Sequence, residues 1–201
     1  MTDRLKVSLF DTLAPYGIEG LRVLDLYAGS GSLGIEMLSR GAAWADFVEQ
    51  NPGVCGIIRD NLRTTGLADR AHIYKMFVAR YLAMLNRQES AGVRSQESGE
   101  VTQGIGDSQI SPVAGTQQAT PVYDIIFLDP PYADSTIDQT LESVANLPAL
   151  AADGLVVIGH AERVKLAEEY GGGRIKRVRH RIMGGSAFSI YESVQDHEAH
   201  S

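Results

Sequence analysis

From residue 21 onward, apolar runs of strand length alternate with segments whose apolar residues recur at helical spacing. That alternation restricts the fold more than any other feature, because strands buried on both faces and joined by helices assemble as βαβ units in a parallel sheet. The fold class is therefore α/β. Strands are predicted at 21–26 (LRVLDL), 44–49 (WADFVE), 71–76 (AHIYKM), 123–129 (YDIIFLD) and 155–160 (LVVIGH). Helices are predicted near 4–14, over about 31–40 up to Gly41, from Pro52 to about Thr65 ahead of Gly66, and from about Ala79. Two more are predicted over 136–147 and, as a short helix, over RVKLAEEYG at 163–171. RIKRVRHRI and AFSIYES would pair across Met183, Gly184 and Gly185, which adds an antiparallel hairpin at the C-terminal end of the sheet.

Residues 88–121 interrupt the pattern. Ser, Gly, Gln and Thr dominate there, so the segment buries too little apolar surface to offset its ordering entropy, and a disordered surface insertion is expected. The chain of 201 residues, with 44% hydrophobic content overall, suits a single domain over 1–201 with a loose tail after 194. No apolar run approaches the roughly 20 residues that span a bilayer, and MTDRLKVSLF lacks a signal-peptide core, so no membrane partner and a cytoplasmic location are expected. Cys55 is the single cysteine, which leaves no disulfide framework and no cysteine zinc site; no metal and a monomeric chain are expected. A net charge of −7 argues against generic nucleic-acid binding. Any RNA contact must come from a local patch, and the candidate is the run Arg174, Lys176, Arg177, Arg179, His180, Arg181, which a solvated edge hairpin explains equally well.

The sharpest local feature is VLDLYAGSGSLGIE, where a buried strand ends near Asp25 and a glycine turn opens a helix. Gly29 and Gly31 permit close approach of a nucleotide-like ligand. With Gly34 they also satisfy the dinucleotide pattern G-x-G-x-x-G, and Glu49 follows at the distance of a ribose-binding acid, so an NAD-dependent oxidoreductase is a real alternative. Asp25 turns the reading away from it. A carboxylate four residues before Gly29 repels a pyrophosphate but suits the ammonium and sulfonium of S-adenosylmethionine. Glu49 would then accept from the ribose hydroxyls. Tyr27 in the loop and Gln50 after Glu49 are further candidate cofactor contacts, and Phe77 or Met76 after the third strand would pack on the adenine face or simply in the core.

The decisive motif is IIFLDPPYA. A buried strand delivers Asp129, Pro130, Pro131 and Tyr132 to the carboxyl edge of the sheet, where open α/β sheets bind ligands. Consecutive prolines stiffen the backbone and fix its carbonyl directions. The Asp129 carboxylate and the Pro130 carbonyl can each accept a hydrogen bond from one NH2 group, and the Tyr132 ring offers a stacking face. An exocyclic amine is a poor nucleophile because its lone pair is delocalised into the base. Acceptors localise that pair, and an adjacent carboxylate stabilises the positive charge that develops on nitrogen during methyl transfer. A base in structured RNA would have to be splayed out to reach such a pocket.

With these residues the chain resembles the RsmD family of 16S ribosomal RNA guanine-N2 methyltransferases. TDRLKVSLFDTL, VLDLYAGSGSLGIEMLSRGA, FVEQNP, the helix with Asn61 and Leu62, and IIFLDPPYA occur in the family's order, over most of residues 2–87 and 122–192. The resemblance implies a seven-stranded Rossmann-like methyltransferase fold, S-adenosyl-L-methionine as donor, and guanine N2 as acceptor in 16S ribosomal RNA within an assembling small subunit. It assigns Asp25, Gly29, Gly31 and Glu49 to the cofactor and Asp129 through Tyr132 to the target base. Val7 stands where the family usually has an acid, and Phe77 where it often has a small or polar residue. DPPY-like loops also serve adenine N6 and cytosine N4 chemistry, and a non-catalytic RNA-binding module is the remaining class.

Overall fold

The computed structural model describes residues 1–92, 121–131 and 135–194. In chain order the elements are α1 (Asp3–Leu13), β1 (Arg22–Leu26), α2 (Ser32–Ser39), β2 (Trp44–Glu49), α3 (Pro52–Thr64), β3 (Ala71–Lys75) and α4 (Val78–Gly92). They continue with β4 (Tyr123–Leu128), α5 (Ile137–Ala145), β5 (Leu150–Ala161), β6 (Glu169–Tyr170), β7 (Ile175–Met183) and β8 (Ser186–Ser193). The strands form one sheet in the order β3-β2-β1-β4-β5-β8-β7-β6. β3, β2, β1, β4 and β5 run parallel, β8 is antiparallel to β5, and β7 is antiparallel to both β8 and β6. Among the described residues no helix is long and apolar enough to cross a membrane.

Strand alternation divides the core in two. Val23, Phe47, Phe127, Val157 and Phe188 pack beneath α1, α2 and α3, whereas Leu24, Val48, Ile126, Val156 and Tyr191 pack beneath α4 and α5. α3 starts where the sequence places it, because the Asn51 side chain accepts from Gly53 N at 2.9 Å and Val54 N at 3.3 Å while Pro52 occupies the first helical turn. The buried carboxylate of Asp46, on the α4 side, is satisfied by three donors: Trp44 Nε1 at 2.8 Å, the Tyr123 hydroxyl at 2.7 Å and Arg22 Nη2 at 3.2 Å. A parallel crossover returns the chain to the opposite edge, so α4 leads away from the carboxyl ends of the strands toward the edge where β4 begins.

Three expectations need correction. The helix predicted at 163–171 does not form. Its backbone groups are taken by other partners: the Tyr170 hydroxyl accepts from Ala167 N, the Ala167 carbonyl accepts from the Tyr191 hydroxyl, and the Leu166 and Glu168 carbonyls accept from Arg177. Tyr170 instead ends the two-residue β6, which makes the sheet eight-stranded where seven strands were expected. β5 also begins earlier than the apolar run LVVIGH, because Leu150 already pairs with Tyr123. Helix α4 runs to Gly92; the rest of the predicted insertion up to residue 120, the tail after 194 and Tyr132 lie outside the described residues.

Candidate active site

The order reversal between β1 and β4 opens a crevice at their carboxyl ends, and both motifs lie on it. Register explains the grouping. Asp25 on β1 stands beside Phe47 on β2 and Phe127 on β4. Side chains two residues apart share a face, so Glu49 and Asp129 project from the same face as Asp25, one step further toward the edge on either side. Three carboxylates thus surround the glycine loop. They do not form a metal-ligand cluster, and none is found among the described residues.

Asp25 is only 1% exposed, which puts it beneath the loop rather than at its surface. Its Oδ2 accepts from Gly34 N at 3.0 Å in the first turn of α2. Burial pushes its carboxyl up to about 8, opposed by the Gly34 hydrogen bond and reinforced by the charges of Asp129 and Glu49. A buried acid held above its ordinary range is a site that a cationic ligand would relieve. Glu49, half-buried at the end of β2, ties the loop down: Oε2 accepts from Gly29 N at 3.1 Å and Oε1 from Asn51 N at 2.8 Å. Each oxygen keeps a further lone pair for a ribose hydroxyl.

Gly29 and Gly31 have φ of 53° and 78°, as an αL turn requires. Tyr27 has φ of 59°, a costly conformation for a bulky side chain, and its hydroxyl lies 3.4 Å from Thr140 Oγ1. Gly34 is small for a different reason: a Cβ there would lie 2.4 Å from Phe47 Cε1, so the third glycine of the pattern brings α2 onto β2. Gln50 is exposed beside Glu49. Phe77 is 67% exposed just beyond β3, so it is not the core residue that was the alternative, and its ring is available to a planar ligand.

Asp129 follows β4 with its side chain 23% exposed, Pro130 is buried and Pro131 exposed. The Met1 amino group donates to Asp129 Oδ2 at 2.7 Å, the kind of contact that a base's exocyclic amine would make. Sequence reasoning missed Gly159 on β5. A Cβ there would lie 2.5 Å from Asp129 Oδ1, so this glycine leaves the space that the carboxylate occupies. It also missed what Asn61 does: its Nδ2 donates to the Ser30 carbonyl at 2.9 Å and ties the loop to α3. Only a bare G or N stood in the sequence for either role.

The family described as conserved hypothetical protein 95 matches residues 1–93 and 93–192. The chain is 30% identical over 191 residues to the protein named Putative rRNA methyltransferase YlbH of Bacillus subtilis, a match covering 95% of this chain and 85% of that one. It is 28% identical over 157 residues to ribosomal RNA small subunit methyltransferase D of Escherichia coli K12, covering 78% of this chain but 61% of that enzyme. Among solved structures, a conserved hypothetical protein of Streptococcus pyogenes aligns with a TM-score of 0.71 at 29% identity, over 94% of each chain.

Proposed function

The chain belongs to the conserved hypothetical protein 95 family of RsmD-type methyltransferases, and from that premise we propose that it transfers a methyl group from S-adenosyl-L-methionine to the N2 amine of a guanine in small-subunit ribosomal RNA. The observation that carries this reading is the gathering of Asp25, Glu49 and Asp129 around one glycine loop at the switch point. Three acids there disfavour the pyrophosphate of NAD and favour a cationic ligand. S-adenosylmethionine, when bound, supplies an electrophilic methyl group on a sulfonium. Glu49 would hold its ribose, Phe77 and Met76 its adenine, Gln50 and Tyr27 the margins of the pocket, and Asp25 would supply negative charge beneath the loop. Asp129 accepts an N–H of the target amine, aims its lone pair, and stabilises the charge that builds on nitrogen as the carbon–sulfur bond breaks, until the surplus proton passes to solvent water. Tyr132 is assigned to stacking on the base and Pro130 and Pro131 to stiffening the turn.

The test is incubation with tritiated S-adenosylmethionine and unmethylated small-subunit RNA, free and in assembling particles, followed by identification of the labelled nucleoside. N2-methylguanosine is expected, with particles preferred because an acidic chain gains from a shaped partner. N6-methyladenosine would overturn the choice of base. RNA binding without methyl incorporation would favour a non-catalytic module, and tight NAD binding an oxidoreductase.

Asp25 predicts a pH dependence. Its value in the folded chain, about 8, lies above its ordinary one, so its contribution to stability is complete below about pH 4 and is lost as pH rises through 8. A cation prefers the ionised carboxylate, so affinity for S-adenosylmethionine should rise between pH 6.5 and 8.5 with release of a proton. Asp25→Asn should weaken binding about tenfold or more, the scale of a hydrogen bond to a charged group, flatten the pH profile, and make the ligand-free protein melt higher than wild type at pH 8.5. Calorimetry in buffers of different ionisation enthalpy reads the proton; unchanged affinity with no proton release would remove Asp25 from the cofactor site.

A further inference from the structure

Folding gives the arginines and the histidine of the basic run 174–181 different surroundings. Arg174 donates to Asn146 Oδ1 at 3.1 Å, Arg177 pairs with Glu168, and His180 Nδ1 lies 3.0 Å from the buried Ser189 Oγ. Those side chains are engaged within the protein. Arg179 and Arg181 are not: both are exposed, and among the described residues neither has an ion-pair partner. Arg179 is in register with Ile190 and Arg181 with Phe188, and both of these belong to the core beneath α1. Directly opposed residues share a face, so both arginines lie on the α1 side of the sheet.

Arg4, in the first turn of α1, is exposed and likewise unpaired among the described residues. Between α1 and the outer end of β7 lies a groove of 720 Å³ lined by Arg4, Val7, Ser8, Asp11, Arg181 and Met183. Its basic end faces the reacting edge. Met1, three residues before Arg4, reaches Asp129, while Asp11 lies two helical turns further away. From the other wall, Arg181, Phe188 and Gly159 form one row across the sheet, and Gly159 abuts the Asp129 carboxylate. β7 is three strands from β4, about 14 Å, or about four stacked nucleotides at roughly 3.4 Å each.

We propose that this groove seats the sugar-phosphate backbone of an RNA strand, with Arg4 and Arg181, and Arg179 beside them, pairing with phosphates that flank the nucleotide presented to Asp129. The proposal rests on the RNA methyltransferase reading and adds the path of the strand. A chain of net charge −7 repels a polyanion overall, so a patch of unpaired arginines opening on the catalytic edge is where attraction is concentrated. Guanidinium groups bind phosphate through paired N–H donors, which a lysine at the same place matches in charge alone. Val7 and Met183 give the groove an apolar wall against which a sugar or an unstacked base can rest.

The experiment uses the full chain with Arg4→Ala and Arg181→Ala singly and together, Arg179→Ala, the paired Lys replacements, and Arg63→Ala on α3 as a distant basic control. RNA affinity is measured against salt concentration, together with KM and kcat for RNA and Kd for S-adenosylhomocysteine. Removing one phosphate contact from a single strand should reduce the slope of log affinity on log salt by about 0.7, and the double variant by about twice that. KM for RNA should rise while kcat at saturating RNA and S-adenosylhomocysteine binding stay as in wild type, lysine should restore the slope, and Arg63→Ala should change nothing. Equal slopes and KM in wild type and the double variant would overturn the groove while leaving methyl transfer intact. Loss of S-adenosylhomocysteine binding in Arg4→Ala with an unchanged slope would overturn it too, by moving that arginine to the cofactor. Failure of the wild type to methylate any RNA is the separate failure of the underlying reading.

Discussion

Replacing Asp129 with alanine is expected to lower kcat for methyl transfer by about 10²- to 10³-fold, the usual cost of removing one charge-stabilising group from a preorganised site, while Kd for S-adenosylhomocysteine stays near the wild-type value. The separation follows from position. Asp129 lies beyond β4, where its Oδ2 accepts from an N–H donor at 2.7 Å, whereas Glu49 and Asp25 hold the glycine loop through Gly29 and Gly34. A second effect should accompany the first. Asp129 is one of the two charges that raise the Asp25 carboxyl, so its removal should shift the pH profile of cofactor binding downward. Single-turnover rates with saturating cofactor, and calorimetry across pH, read the two effects independently; wild-type turnover in Asp129→Ala would refute the proposed chemistry.

Gly159→Ala is expected to cost about 10²-fold in single-turnover rate, the scale of a displacement of about 1 Å at a reacting group, with little loss of fold. A methyl group on β5 at this position would lie 2.5 Å from Asp129 Oδ1 and 3.3 Å from Cγ, both inside contact distance. The least costly relief is rotation of the Asp129 carboxylate, whose side chain is 23% exposed. Core overpacking costs typically 1 to 3 kcal/mol; relief through a partly exposed carboxylate should put the change in Tm at the low end of that range. Coupling identifies the cause. If Gly159 acts only by leaving room for Asp129, then Gly159→Ala combined with Asp129→Ala should be no slower than Asp129→Ala alone. Fully multiplicative losses would assign Gly159 some other role.

The parts of the site legible in the sequence are those in which several residues act within one short segment. A strand ending at Asp25, a glycine turn, an acid after the next strand and a proline pair after Asp129 each follow from local backbone requirements, and the structure brings them to one edge. β1, β2, β4 and the latter part of β5 were legible for a similar reason, since burial on both faces leaves an apolar run. What escaped depends on register between distant strands. Gly159 matters because β5 lies beside β4 at a particular offset, and nothing in IGHAE signals that. The segment 163–171 has helical spacing, yet its own Tyr170 side chain and, from outside, Arg177 and Tyr191 supply its backbone groups with partners, and these hydrogen bonds prevail over weak local propensity. The basic run reads as uniform in one dimension, but β pairing turns Arg179 and Arg181 toward α1 and leaves Arg177 with Glu168.

The ends of the long connection between Gly92 and Tyr123 are anchored by α4 and the start of β4, at the margin of the sheet opposite Asp129. Chain-closure entropy grows slowly with length, each doubling adding only about 0.6 kcal/mol. Lengthening the connection is therefore inexpensive: a fluorophore or an affinity handle added between those two anchored ends leaves the strand order, and with it the crevice at the carboxyl edge of the sheet, as it is.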